Sequence, residues 1–261
     1  MNDNTEDKMI LKVLGSGTCV PRIDRASSGY FIKYKQYKFL LDCGPGVLRQ
    51  LVKAREDYKD LTGVIFSHFH PDHCSDFIPL IQALNYTPGF KRKKELLLIG
   101  SSKLEDFAKS LYKIYNVFPE GYDTAFVEPD GKFILNDEIS ISSIKGNHSD
   151  NSSIIKITYK TDQGKEKGFV YSGDTDFDEN IPEFAKNIDT LILECSYPQK
   201  VEGHLTPEEA GRLANMTKPR KLLLTHFYPP SDNPDIKIQH RVKEHFIGQV
   251  ILAHDLMEIV I

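Results

Sequence analysis

Residues 67–76, SHFHPDHCSD, hold three histidines and two aspartates directly after the apolar run LTGVIF. In an extended segment, side chains two positions apart point the same way, so His68 and His70 can reach one ion together. Pro71 stops the strand, and Asp72 and His73 then stand at the start of a helix, facing the same pocket from the other side. Imidazole and carboxylate are donors that zinc, iron or manganese accept. A lone histidine is ordinarily a core or surface residue. Three of them with an aspartate at a strand end read as metal ligands.

Two ions need more donors, and the chain offers them at matching places. His148 lies just beyond a β-run in IKGNHSDNS, Asp174 follows the apolar strand 168–172 in FVYSGDTD, and His226 ends the buried strand 221–225 in LLLTHFYP. Each sits where a strand spills into a loop, the usual place for functional side chains. Singly they are a surface histidine, a turn aspartate and a strand-end histidine; with the first cluster they make a set.

That set, HxHxDH followed by a distant His, Asp and His, resembles the metallo-β-lactamase-fold hydrolase superfamily. The likeness runs from LGSGTCVPRIDRASSGYFI to LAHDLMEI. It implies that His68, His70 and His148 hold one divalent ion, that Asp72, His73 and His226 hold the other, and that Asp174 bridges them. It also implies an α/β fold, a four-layer αββα sandwich with the dinuclear metal site at the edge of the two sheets. Zinc is the expected metal, with manganese or iron as alternatives. A water shared by two such ions, acidified toward neutrality, is the expected nucleophile, with Asp72 helping to position it.

The branch is suggested by three further stretches. LGSGTCVPRIDRASSGY and LLLTHFYP are similar to motifs of ribonuclease Z and its relatives, and LECSYPQKVEGHLTPEEA resembles that branch's Glu and His motifs, at Glu194 and His204. A histidine held by a carboxylate can keep a proton near neutral pH and offer it to a leaving oxygen. Two features depart from the tRNA-processing enzymes. Only 25 residues separate His148 from Asp174, room for two strands and a turn but not for an inserted tRNA-grasping arm, and Leu193 stands where the Glu motif usually has a leading His. The expectation is therefore a phosphodiesterase acting on a cyclic phosphate, a small nucleotide or an RNA phosphodiester. The alternatives are a lactone, thioester or other carboxyl-ester hydrolase, a ribonuclease Z-type tRNA 3′ endonuclease, and a non-catalytic metal-binding module.

The elements that must position these groups follow from the apolar pattern. MILKVLG, SGYFIKY and YKFLLDCG read as strands, the last two a hairpin around KQ. Helical spacing follows in GPGVLRQLVKAR, CSDFIPLIQALNY and SKLEDFAKSLYKIYN, with LTGVIFSH and ELLLIGS as buried strands between. From 122 to 172 the pattern is β throughout, and then helices and buried strands alternate to the end. No linker or repeat divides the chain, so a single domain over 1–261, two packed sheets with helices outside, fits this order.

Composition excludes several classes. A net charge of −4 gives no global pull toward nucleic acid, so RNA is not indicated by charge. The basic run FKRKKE at 90–95 reads as solvated loop surface, as does the 116–131 loop. Cys19, Cys43, Cys74 and Cys195 form no CxxC pair, the polar start is wrong for a signal peptide, and no apolar stretch approaches membrane-spanning length. A cytoplasmic enzyme with no membrane partner is expected; a homodimer is compatible with all of this. LGSGT reads as a turn near the site, Cys74 as an inert buried thiol and His254 as structural.

Overall fold

Strands buried on both faces read as continuous apolar runs, and the arrangement explains why so many occur here. The computed structural model describes residues 8–129 and 131–261; the first seven positions of the polar start and Asp130, within the 116–131 loop, lie outside the described residues. Strands β1 (Ile10–Gly15), β2 (Gly29–Tyr34), β3 (Tyr37–Leu41), β4 (Gly63–Ile65), β5 (Leu96–Ile99) and β6 (Thr124–Val127) lie side by side. The second sheet runs from β7 (Gly131–Leu135) through β8 (Ile139–Lys145), β9 (Ser153–Lys160), β10 (Glu166–Tyr171), β11 (Thr190–Glu194) and β12 (Lys221–Thr225) to β13 (Gln249–Leu252). A last strand, β14 (Glu258–Val260), returns to the first sheet and pairs antiparallel with β1. Each sheet is antiparallel toward one side and parallel toward the other: β3 to β6 are parallel, as are β10 to β13.

Alternate side chains of each central strand feed two different cores. Tyr30, Ile32, Phe39 and Ile65 point between the sheets and meet Ile157, Phe169, Ile192 and Leu223. Phe31, Leu40 and Val64 point outward, under helices α1 (Val47–Lys53), α2 (Pro71–Cys74), α3 (Phe77–Tyr86) and α4 (Leu104–Tyr115). Leu191, Leu193 and Leu222 do the same beneath α5 (Asn180–Phe184), α6 (Pro207–Thr217) and α7 (Ile238–Lys243). The result is the expected four layers. The tyrosines between the sheets stay hydrogen-bonded, as buried hydroxyls must: Tyr34 donates to Lys160 O, Tyr159 to Ile261 O and Tyr171 to Asp42. Among the described residues no helix is long and apolar enough to cross a membrane.

Three details differ from the pattern reading. The β stretch 122–172 belongs to both sheets, because β6 pairs with β5 while β7 opens the second sheet. The run QVILAHDLMEIVI is two strands in different sheets. The helix read over CSDFIPLIQALNY starts only at Phe77, since the short α2 closes first and Asp76 N–H bonds Cys43 O.

Candidate metal centre

The donor residues gather at the carboxyl ends of strands, where open α/β sheets usually bind ligands. From the first sheet come Asp42 after β3 and Ser67 to His73 after β4. From the second come His148 after β8, Asp174 after β10, Glu194 at the end of β11 and His226 after β12. Three of these strand ends turn through a left-handed residue: Asp42 (φ 59°), Gly173 (φ 56°) and His226 (φ 59°). That conformation is uncommon for residues other than glycine and persists where surrounding contacts enforce it. Gly173 has no alternative, because a Cβ there would lie 2.9 Å from the Ser67 Cβ.

The donors form two trios. Ligand atoms of His68, His70 and His148 lie within 4.8 Å of one another, as do those of Asp72, His73 and His226. The His70 Nδ1 stands 3.1 Å from His148 Nε2, and His73 Nε2 stands 3.3 Å from His226 Nε2. Asp174 lies between the trios. Its Oδ2 is 4.0 Å from His68 Nε2 and from His148 Nε2, while its Oδ1 is 3.4 Å from His73 Nε2 and from His226 Nδ1. All seven side chains picked out in the sequence therefore meet in one place.

Four of the five histidines are turned the same way by their outer partners. His73 Nδ1–H donates to Asp42 at 2.7 Å, and His68 Nδ1–H to Ser67 Oγ at 3.1 Å, whose own hydroxyl donates to Asp42. His226 Nδ1–H donates to Ser196 Oγ at 2.9 Å, whose hydroxyl donates to Glu194, and His148 Nδ1–H donates to Gly203 O at 3.0 Å. Placing each proton on Nδ1 from the acceptor it meets leaves four Nε2 lone pairs for the pocket. Each sheet thus contributes one buried carboxylate and one serine that fix its histidines, the arrangement that orients metal-binding imidazoles. Asp42, Ser67 and Ser196 were not singled out in the sequence. Their only signal is a polar residue ending an apolar strand, as in LLDCG.

The electrostatics call for a cation. His68 Nε2 and Asp174 Oδ1 are buried with no hydrogen-bond partner, whereas buried polar atoms are nearly always paired. Burial, helped by the neighbouring His73, pushes the His68 imidazole well below its ordinary range, so it is neutral as a ligand must be. Burial opposes ionisation of Asp174 too, yet His226 and His73 hold it well below the usual carboxylate range. At His73 burial is outweighed by Asp174 and Asp42, which raise its pKa well above the ordinary value. A divalent ion beside these carboxylates would take the place of that proton. The group therefore fits a divalent metal.

Beside this pocket stands a second kind of pair. His204 Nδ1–H donates to both oxygens of the fully buried Glu194, at 3.0 and 3.2 Å. Burial lowers the His204 pKa, the hydrogen bond and charge of Glu194 raise it more, and the net shift is upward. Its ring lies parallel to that of His226, with centroids 6.0 Å apart. The backbone frame is firm, because Thr206 caps α6 in a reciprocal box with Glu209.

Residues 37–227 match the family described as the beta-lactamase superfamily domain, over two thirds of the chain. The chain belongs to the beta-lactamase superfamily. The resemblance drawn from its motifs and the fold that it implied both hold. Ribonuclease Z of Clostridioides difficile (strain 630) is 26% identical to this superfamily chain over 303 aligned positions, covering 95% of the chain and 97% of that protein. The structure of the metallo-beta-lactamase fold protein YhfI from Bacillus subtilis superposes with a TM-score of 0.81 at 27% identity, covering 97% of this chain and 99% of that one. Human tRNase Z, short form, gives 0.75 at 20% identity, covering 96% and 98%, a likeness of fold alone. The ribonuclease Z alignment is wider than this 261-residue superfamily member is long, so that protein carries segments absent here.

The other singled-out residues are placed as follows. Cys74 is buried against Phe69 O and His70 O, and burial pushes its thiol up to about 12. His254 is exposed, its ring on Asp255 O. The turn after β1 holds Ser16, which donates to Asp255 and whose carbonyl accepts the N–H of Phe227 next to His226, and the segment beyond it, Cys19, Arg22 and Arg25 included, lines a cavity of about 420 Å³ that reaches Asp72.

Proposed function

We propose that the protein is a metal-dependent phosphodiesterase for small phosphodiesters, the whole chain acting as one hydrolase unit. In this reading His68, His70 and His148 would hold one zinc ion, Asp72, His73 and His226 would hold a second, and Asp174 would be shared. When bound, the metal would supply Lewis-acid polarisation of the phosphoryl oxygens and lower the pKa of water toward neutrality. The protein's own residues do the rest. Asp42 with Ser67, and Glu194 with Ser196, hold the imidazole lone pairs toward the pocket, while Asp72 at its mouth orients the attacking group.

The observation that carries the choice of reaction is the His204–Glu194 pair. An alkoxide leaving phosphorus is a poor leaving group and gains from a proton, and Glu194, against the effect of burial, raises the His204 pKa beside the pocket and so favours the form that can give one. Carbonyl hydrolysis on the same ligands needs such a donor less often. Two facts support small substrates over tRNA: the β9–β10 hairpin fills the interval between His148 and Asp174, and ribonuclease Z, a relative whose name is that of an RNA-cleaving enzyme, carries segments this chain lacks.

The test is His204→Ala assayed on two diesters. Hydrolysis of a nucleoside cyclic phosphate, whose leaving group is an alkoxide, should fall by about 10²–10⁴ with metal content unchanged. Hydrolysis of bis-p-nitrophenyl phosphate, whose leaving group needs no proton, should fall far less. Equal losses on both would remove His204 from the proton-donor role. Cleavage of a lactone without any diester turnover would overturn the reaction class.

A further inference from the structure

At the opposite end of the first sheet from the metal centre lies a groove of about 640 Å³. Eight of its twelve lining residues are lysine or arginine and one, Asp60, is acidic, in a chain whose net charge is −4. The fold assembles it from three places: Lys33, Lys35 and Lys38 on the β2–β3 hairpin, Lys59 in the turn before β4, and Lys91 to Lys94 before β5. The run at 90–95, which by itself reads as loop surface, is therefore one wall of a larger feature.

Two observations separate this groove from ordinary solvated lysines. Lys33 and Lys38 face each other directly across the antiparallel hairpin, a like-charge placement that destabilises a sheet. Lys38 is relieved by Asp60 at 3.0 Å, which Lys59 and Lys94 also approach, whereas Lys33, Lys91 and Lys93 form no salt bridge among the described residues, so one carboxylate serves several ammonium groups. Local rules are broken in this way mainly at functional sites. The second observation is Arg92, only 4% exposed, whose guanidinium donates to Lys59 O, Leu61 O and Glu95 O. Its Nε has no hydrogen-bond partner. This buried arginine ties the two lysine-bearing segments together, so the charges project from a fixed frame.

We propose that the groove binds the phosphodiester backbone of a single-stranded nucleic acid, RNA or DNA. Lysines spaced along a concave wall match a row of phosphates. Phe90, half-buried in the same wall with Lys59 Nζ 5.8 Å from its ring centre, offers a face for a base. A membrane surface is the poorer match: the feature is concave, and among the described residues none of the large exposed apolar side chains lies in it. Seven residue steps of chain, from Leu61 to His68, separate groove from pocket, on the order of 20 Å. The groove is a tether rather than a part of the reacting centre.

The test uses the full chain and a fluorescent 20-nucleotide probe as RNA and as DNA, followed by anisotropy. Four lysines on phosphates predict a salt slope near −0.7 for each, so binding should weaken about 50-fold between 50 and 200 mM salt. Replacing Lys33, Lys91, Lys93 and Lys94 by alanine should abolish that binding and its salt dependence. A control with alanine at Lys109, Lys113, Lys186 and Lys243 loses the same charge elsewhere and should bind as the parent does. Loss on RNA alone, or on DNA alone, identifies the natural strand. Unchanged binding in the groove variant, equal loss in the control, or groove-dependent capture of phosphatidylserine vesicles or polyglutamate in place of either strand would overturn the proposal. Hydrolysis of bis-p-nitrophenyl phosphate by metal-loaded protein should be equal in both variants, and its loss in the groove variant would count against a separate tether. A parent that binds strands but hydrolyses no diester would contradict the phosphodiesterase reading and leave the groove standing.

Discussion

Replacing Asp42 by asparagine probes how the centre is held. Asp42 is fully buried and left-handed, a conformation asparagine tolerates, so the backbone need not move. Its Oδ1 accepts the Ser67 N–H at 2.8 Å, and its Oδ2 accepts from Ser67 Oγ, Tyr171 and His73 at 2.8, 2.9 and 2.7 Å. The amide can take two orientations, and both are poor. With its NH₂ at the Oδ1 position, it faces the Ser67 N–H and leaves a buried donor unpaired, which costs about 1–3 kcal/mol. With its NH₂ at the Oδ2 position, two hydrogens face three former donors, and His73 keeps a bond there only by accepting at Nδ1. Its proton then moves to Nε2, the nitrogen that faces His226 and Asp174, and His73 is lost as a ligand. Loss of such an orienting partner typically lowers metal affinity about 10–100-fold, equivalent to about 1.4–2.7 kcal/mol. The assay pairs a chelator-competition titration of zinc with urea unfolding of the metal-free protein. A loss is expected in at least one of them, and Asp42→Asn protein with parental zinc affinity and parental stability would show that Asp42 does not hold the centre.

Three further outcomes are expected. Asp174→Ala should leave fewer than two metal ions per chain by elemental analysis, and undiminished occupancy would contradict its place between the trios. Glu194→Gln should move the alkaline limb of the activity profile to lower pH. The active form carries a proton on His204, burial alone lowers that pKa, and Glu194 is what raises it; a limb that stays in place, read from kcat against pH, would exclude this coupling. Gly44→Ala should lower both metal content and stability, since its Cβ would lie 2.0 Å from Asp72 O, and a parental melting temperature would show that α2 can shift freely.

Local pattern carried the reading of the sequence where both faces of a strand are covered. β4, β11 and β12 appear as unbroken apolar runs, and their polar termini mark the site directly. It carried less where pairing depends on distant chain. Nothing local to TAFVE tells β6 to join β5 rather than β7, and nothing in QVILAHDLMEIVI tells β14 to leave β13 for β1. The candidate metal donors were legible because their residue types are costly to bury without a purpose. Asp42, Ser67 and Ser196 were not, because a single aspartate or serine at a strand end is common; only the hydrogen bonds reveal that these two small relays set the imidazoles. The left-handed turns at Asp42 and His226 leave no compositional mark at all, as neither residue is glycine.

The two sheets share the candidate donors: His68, His70, Asp72 and His73 lie on one side of the seam, and His148, Asp174 and His226 on the other. A growing chain therefore exposes half a binding site long before the other half is synthesised, and neither trio is complete without residues from the far side. Discrimination among cations is thus deferred until the sandwich has closed around strand β12. The choice of metal is put to a finished architecture rather than to a nascent peptide, whose histidine pair alone could hold copper or nickel as readily as zinc.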